Sequence, residues 1–469
     1  MGNFRMKLFQ DALPSRRGPG DGKPSGPRPF WTDTPKEAAQ KEKRAMLYLR
    51  NAAYLHADDF TQTDGHFAVE EGPFGGIRPV SSIPAFNELA PGDRVLDCRG
   101  RFVTKALACG HHHIYSALAR GMPPAPKAPT TFVEVLELIW WRLDKCLDND
   151  TVLASALAAG LHMAKNGVTF CIDHHASPFA VENSLSIIAE AFDRIGIGHL
   201  LCYETSCRDG HDIAEKGLAE HERFFASGGK GHVGLHASFT VDDAILAASV
   251  DLARKYDTGL HIHVAEAKSD QDHCLAIHGK TVIQRLKDAG ALESAKTILG
   301  HCVHVSEEDK KILAASPCWI VQNVESNQNN NVGLSGYSYK KNVMLGTDGM
   351  HSDMIRSAQA AYFAGIAVEG ATCSGTYERL RNVHTHAALH GAPGAGDNNL
   401  IVLDYDTPTP LTTDNALGHF FYGLDAGHVA TVVSQGKVIV EDRRLTTCDE
   451  AEILAFTREQ SERLWAALR

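Results

Sequence analysis

The sequence predicts an α/β chain built as a (β/α)8 TIM-type barrel with a small β-sandwich domain assembled from both termini, and three observations predict it. Eight short β-branched runs alternate with longer helical stretches between residues 102 and 346. Other β-like runs, separated by Gly, Pro and Asp turns, fill 47–103 and return at 430–441. The first central run ends in Cys109, Gly110, His111, His112 and His113, which is no Gly-rich phosphate turn, so an open doubly wound sheet is disfavoured.

Taken in order, residues 1–45 carry Arg16, Arg17, Pro19 and a Pro/Gly run from Pro24 to Pro29, a composition that buries no core and is expected to be a mobile tail. Asp11 and Asp21 interrupt any targeting-type pattern of basic residues there. The first part of the small β domain is expected over 46–102, the barrel over 103–395, and the second part with a C-terminal helix over 396–469. The eight barrel runs are 102–109, 168–173, 198–203, 232–237, 259–264, 296–300, 318–322 and 342–346. Between them, Leu185, Ile188, Ala189, Phe192 and Ile195 make one helical face before Gly196, and Ser306 to Asp309 reads as a capping box. A long insertion after the first run holds a Pro-rich loop, Pro123 to Pro129, and a helix, Phe132 to Leu147, with Trp140 and Trp141. Leaving the catalytic mouth of a barrel, it either walls off a substrate or simply anchors itself by its tryptophans. Gln435 and Gly436 mark a hairpin turn, and Ile453, Leu454, Phe456, Leu464 and Leu468 space as a terminal helix.

Composition narrows the function. The 46 basic and 57 acidic residues leave a net charge of -11, spread along the chain, which disfavours nucleic acid and points to a small-molecule partner. Eleven cysteines without a C-x-x-C pair read as reduced thiols in a cytoplasmic protein, and no apolar run is long enough to cross a membrane. Several of the 25 histidines gather in short clusters, at 111–113, 174–175, 261 and 263, and 301 and 304.

Those clusters fall at strand ends. Side chains two apart in a strand point the same way, so His111 and His113 can reach one ion. His263 ends the fifth run, Glu266 follows it, His301 ends the sixth, and Asp348 follows the eighth. A catalytic metal needs three or four N/O ligands and an open position for water, which His111, His113, His263 and Asp348 supply. Glu266 is the expected proton carrier, His301 the group that orients water or polarises substrate, and Asp348 shares that work. His236, His174, Trp141 and Gln322 are candidate substrate contacts. No lysine lies between Gly234 and Phe239 to bridge a pair of metals, so one divalent metal ion is expected.

Together, His111 to Arg120, Ile172 to Pro178, Gly234 to Phe239, His263 to Glu266, His301 to His304, Leu345 to Gly349 and Tyr405 to Leu411 resemble the chlorohydrolase/aminohydrolase branch of the amidohydrolase superfamily, and within it the SsnA group. The similarity runs from about Leu47 to the C-terminus. It implies a single zinc or iron on residues matching His111, His113, His263 and Asp348, with Glu266 and His301 matching the proton-handling pair. It also implies hydrolytic deamination of a small nitrogen heterocycle, and a homodimer. Dechlorination, cyclic-amide hydrolysis or a non-catalytic metal-binding barrel remain alternatives. Lys105 and Ala106 replace the family's Pro-Gly, Gln322, Asn323 and Val324 replace a His-Asn-Pro, and Gly370 to Asn399 reads as short and irregular where relatives carry helices.

Overall fold

The computed structural model describes residues 44–469, so all but the last two positions of the expected tail lie outside the described residues. The barrel strands are Leu107–His112, Val168–His175, Gly198–Tyr203, Val233–Ala237, Leu260–Val264, Ile298–His301, Trp319–Gln322 and Val343–Leu345. The first three pair in parallel as one run and the last five as another. Parallel bridges Leu201↔Gly231 and Thr205↔Leu235 join the runs on one side, and His112↔Asp348 joins them on the other. Eight parallel strands thereby close on themselves, and every strand ends on the same rim.

Local signals read from the sequence operate as physics requires. Helix Ser184–Ile195 buries Leu185, Ile188, Phe192 and Ile195, and ends at Gly196, whose φ of 98° suits a residue without a Cβ. Ser306 Oγ accepts from the Asp309 N–H (3.1 Å) while Asp309 Oδ2 accepts from the Ser306 N–H (3.0 Å), a closed capping box. Gln435 and Gly436 turn with φ of 51° and 79° between Val429–Ser434 and Lys437–Glu441, as a two-residue hairpin needs.

Strands from both ends of the chain form one nine-stranded mixed sheet. The join is made by Phe102–Lys105, which runs antiparallel to Leu400–Leu403, and Leu49, Phe67, Val103, Leu400 and Val433 share its core. The run expected as one strand over 102–109 is therefore two strands. The chain crosses from sheet to barrel at Ala106, whose N–H donates to the Asn399 carbonyl and whose own carbonyl accepts from Arg381 and His384.

Those two side chains belong to a second difference. The stretch expected to be irregular after Gly370 contains the 17-residue helix Cys373–Leu389, capped by Thr372. Arg381, Asn382 and His384 obscure its pattern, since polar residues interrupt the apolar face of Leu380, Val383 and Ala387. In the fold they reach strand carbonyls: Asn382 Nδ2 donates to Val343 O at 2.8 Å, alongside the bonds to Ala106. Burial of polar side chains is tolerated here because each finds a backbone acceptor.

Candidate metal centre and cleft

The rim assembles the set expected from strand ends. One ligand atom each of His111, His113, His263 and Asp348 lies within 4.8 Å of the others, and all four residues are buried. His111 and His113 share a face of the first strand, and the intervening His112 turns away to bond the Asp348 carbonyl and Ser352 Oγ. Ala265, His301 and Asp348 adopt φ of 45°, 67° and 52°, left-handed turns that cost about 1–3 kcal/mol each in non-glycine residues. Backbone bonds hold them: Cys302 N–H donates to Val264 O (2.9 Å) and Asp348 N–H to His111 O (3.0 Å). At His301 and Asp348 the turn places the side chain beside Glu266 and the imidazoles.

The donor chemistry fits a cation. His113 Nδ1 donates to His174 O (2.6 Å) and His263 Nδ1 to His236 O (2.9 Å), which leaves their Nε2 atoms as lone pairs. These face each other at 3.2 Å, and His263 Nε2 faces His111 Nε2 at 3.3 Å, with Asp348 Oδ1 at 3.1 Å from His113 Nε2. Lone pairs so placed repel unless a positive charge sits among them. Burial drives the His111 imidazole down to about 3 and His263 well below its ordinary value, so both stay neutral. Burial also opposes protonation of His113, but the Asp348 carboxylate outweighs it and raises that ring to about 9. Without an ion a proton on His113 Nε2 faces Asp348 Oδ1 and takes the place among these donors that a divalent ion would fill.

Around this centre, Ser326 Oγ donates to Asp348 Oδ2 (2.6 Å) and the Gly349 N–H to Oδ1 (2.8 Å), fixing the carboxylate. His301 Nδ1 donates to Asn327 Oδ1 (2.7 Å), which turns its Nε2 toward Glu266 Oε2 (3.6 Å) and Asp348 Oδ2 (3.7 Å). Asn330 Nδ2 donates to Glu266 Oε1 at 3.2 Å. Burial pushes the Glu266 carboxyl up, against the opposing pull of His301. The strand geometry is tight: a Cβ on Gly346 would lie 2.5 Å from Asn323 Oδ1 and 2.8 Å from His111 Cβ. Gly346→Ala is therefore expected to destabilise the chain by about 1–3 kcal/mol and to weaken metal retention, read by denaturant midpoint and metal content together.

Above the centre opens a cleft walled by Tyr115, Phe132, Trp140 and Trp141. The insertion helix thus borders the cleft, with one π turn at Leu136–Trp140. His236 and Trp141, both expected as substrate contacts, line it, and their rings meet at 6.0 Å. The structure does not bring His174 or Gln322 to it. His174 is fully buried beneath the imidazoles, its Nδ1 donating to Glu204 Oε2 at 3.1 Å. Gln322 turns toward helix Cys373–Leu389, its Oε1 accepting from Arg379 at 3.1 Å.

Sequence reasoning missed Glu204, Arg208, Ser326, Asn327 and Asn330. Glu204 is the first residue beyond the third strand, the same rim position that singled out His113, and that rule applied there would have found it. Burial opposes its ionisation, but His236 and His174 outweigh it and hold the carboxyl well below the ordinary range. Arg208 pairs with Asp144 and stacks over Trp141 at 5.1 Å, tying the third strand's rim to the insertion. The Ser326–Asn330 residues sit on a short helix after the seventh strand, in a polar run with no spacing that marks a site.

Over 448 residues the chain is 29% identical to the 5-methylthioadenosine/S-adenosylhomocysteine deaminase of Desulforudis audaxviator (strain MP104C), covering 89% of this chain and 99% of the relative. The deaminase of the same name from Thermoanaerobacter pseudethanolicus is 27% identical over 413 residues, with 82% and 92% covered. An adenosine deaminase structure from Xanthomonas campestris with bound zinc superposes with a TM-score of 0.74 at 18% identity, over 90% of this chain and 98% of that one. The atrazine chlorohydrolase from Arthrobacter aurescens TC1 complexed with zinc does so with a TM-score of 0.71 at 18% identity, over 88% and 100%. These two likenesses carry the fold. Residues 102–387, from the strand that joins the terminal sheet to the helix that closes the barrel, match the amidohydrolase family. That span is more than half of the chain and includes every residue of the rim cluster, so this chain belongs to the amidohydrolase family.

Proposed function

We propose that the chain hydrolyses an exocyclic C–N bond of a small nitrogen heterocycle, releasing ammonia. The observation that carries the reading is the placing of Glu266 and His301 beside a three-imidazole, one-carboxylate centre at the floor of an aromatic cleft. The deaminase relatives support ammonia as the leaving group and put adenine nucleosides first among the substrates to try.

In this reading His111, His113, His263 and Asp348 hold one divalent ion, zinc in view of the nitrogen-rich donor set. Bound there, it supplies Lewis acidity that brings the pKa of water to roughly 7. Asp348 would align the attacking water by accepting one of its two hydrogen bonds, leaving the other for Glu266, with His301 facing the same space. Glu266 takes the water's proton and passes it to the departing nitrogen, which leaves as a neutral amine in place of an amide anion. Trp141 packs on the flat ring and His236 contacts one of its polar atoms. His174 acts through Glu204, which it orients.

Ammonia release from a panel of adenine nucleosides, other purines, pyrimidines and triazines tests the reading, with metal content measured on the same preparation. Ammonia is expected from at least one purine, and its loss after chelation with recovery on adding zinc. Chloride or ring-opened acid without ammonia would overturn the deamination reading, and recovery with iron alone would overturn zinc.

A further inference from the structure

We propose that His232, His386 and His390 form a second metal site, at the barrel rim opposite the cleft, which takes one divalent transition-metal ion of the zinc class. His386 and His390 stand four residues apart at the end of helix Cys373–Leu389, so their rings share a face. His232 immediately precedes the fourth strand, Val233–Ala237, at the end remote from the cleft. One ring nitrogen of each residue lies within 4.8 Å of the other two, and His232 Nε2 is 3.0 Å from His386 Nε2.

Hydrogen bonding within the protein does not account for these rings. His386 Nδ1 and His390 Nε2 are buried with no hydrogen-bond partner among the described residues, while His232 has the Lys296 backbone beside it. A proton shared between the facing His232 and His386 Nε2 atoms is what an ion would displace, and the convergence of the third ring, His390, on that pair is what points to an ion. His232 and His386 are fully buried, and the Trp319 ring packs against His386 at 5.5 Å, so water does not substitute freely. Burial pushes all three imidazoles down, His390 to about 4, so each presents a lone pair near neutral pH.

The surroundings select the kind of ion. Neighbouring ammonium groups are already engaged: Lys230 Nζ donates to the His390 and Gly391 carbonyls, and Lys296 Nζ to Asp257. Three neutral nitrogens with no carboxylate among them suit zinc, cobalt or nickel; calcium and magnesium want oxygen. Such an ion would clamp the last barrel helix to the start of a strand 154 residues earlier in sequence, an entropic staple across a long loop.

The proposal is independent of the reading at the cleft, and one experiment separates them. The full chain, His390→Gln, His386→Gln, and a His113→Ala/Asp348→Asn chain with and without His390→Gln are loaded with zinc, gel-filtered and assayed for metal by mass spectrometry. Each single variant is expected to lose one zinc per chain relative to the unaltered protein. The His113→Ala/Asp348→Asn chain should retain one zinc and show a rise in Tm on zinc addition, both lost when His390→Gln is added. His390 is partly exposed, so its variant decides the matter if His386→Gln does not fold. Unchanged zinc content in His390→Gln, or no zinc in the His113→Ala/Asp348→Asn chain, overturns the proposal. Zinc kept there but absent from the cleft would instead defeat the metal reading of the rim.

Discussion

Glu266→Gln is expected to lower kcat by roughly 10²- to 10⁴-fold on whichever substrate releases ammonia, with metal content unchanged. The substitution keeps size and the bond from Asn330 Nδ2, but an amide cannot take up the proton that the carboxylate accepts. Burial, which raises the Glu266 carboxyl, makes it a better proton acceptor than an exposed glutamate, and His301 Nε2 at 3.6 Å lies close enough to share the water. Steady-state kinetics beside metal analysis separates this outcome from simple loss of the ion. Turnover undiminished in the variant would remove Glu266 from the chemistry.

The largest effect on stability is expected from Arg208→Met, about 3–5 kcal/mol by denaturant unfolding, because it removes the cation paired with a buried carboxyl that burial already pushes up to about 7. Arg208 Nη2 bonds the Asp144 carboxylate, whose side chain is 1% exposed. The other acids near the guanidinium keep partners without it, Asp209 through Lys145 at 2.8 Å and Glu204 through His174 at 3.1 Å. Asp144 alone is left uncompensated. Replacing both members, Arg208→Met with Asp144→Leu, is expected to recover most of the loss, since apolar substitutes for a buried ion pair are often neutral. A double variant as unstable as the single one would show that the cation's stacking on Trp141, and not the stranded carboxylate, sets the cost.

Much of the rim was legible because the barrel converts order in sequence into place in space. A residue at the end of any strand arrives at the same mouth, and period-two alternation separates His111 and His113 from His112. The same alternation hides what lies beneath. Every residue of Val168–His175 is buried, so a sequence pattern cannot tell which of His174 and His175 meets a cleft, and His174 proves to support Glu204 from below. Nothing in the spacing of Arg208 and Asp144 marks them as partners, and they meet only because the insertion folds back over the third strand.

What the sequence by itself determined was the strand-helix alternation, the caps and turns, and the identities of the rim residues, all of which depend on near neighbours or on repeat order. Only the tertiary structure decided which polar side chains are buried together: Glu204 with His174, Arg208 with Asp144, His232 with His386 and His390. The reason is physical. A buried polar group is tolerated by partners that arrive from elsewhere in the chain, and their distances are set by packing that no local pattern encodes.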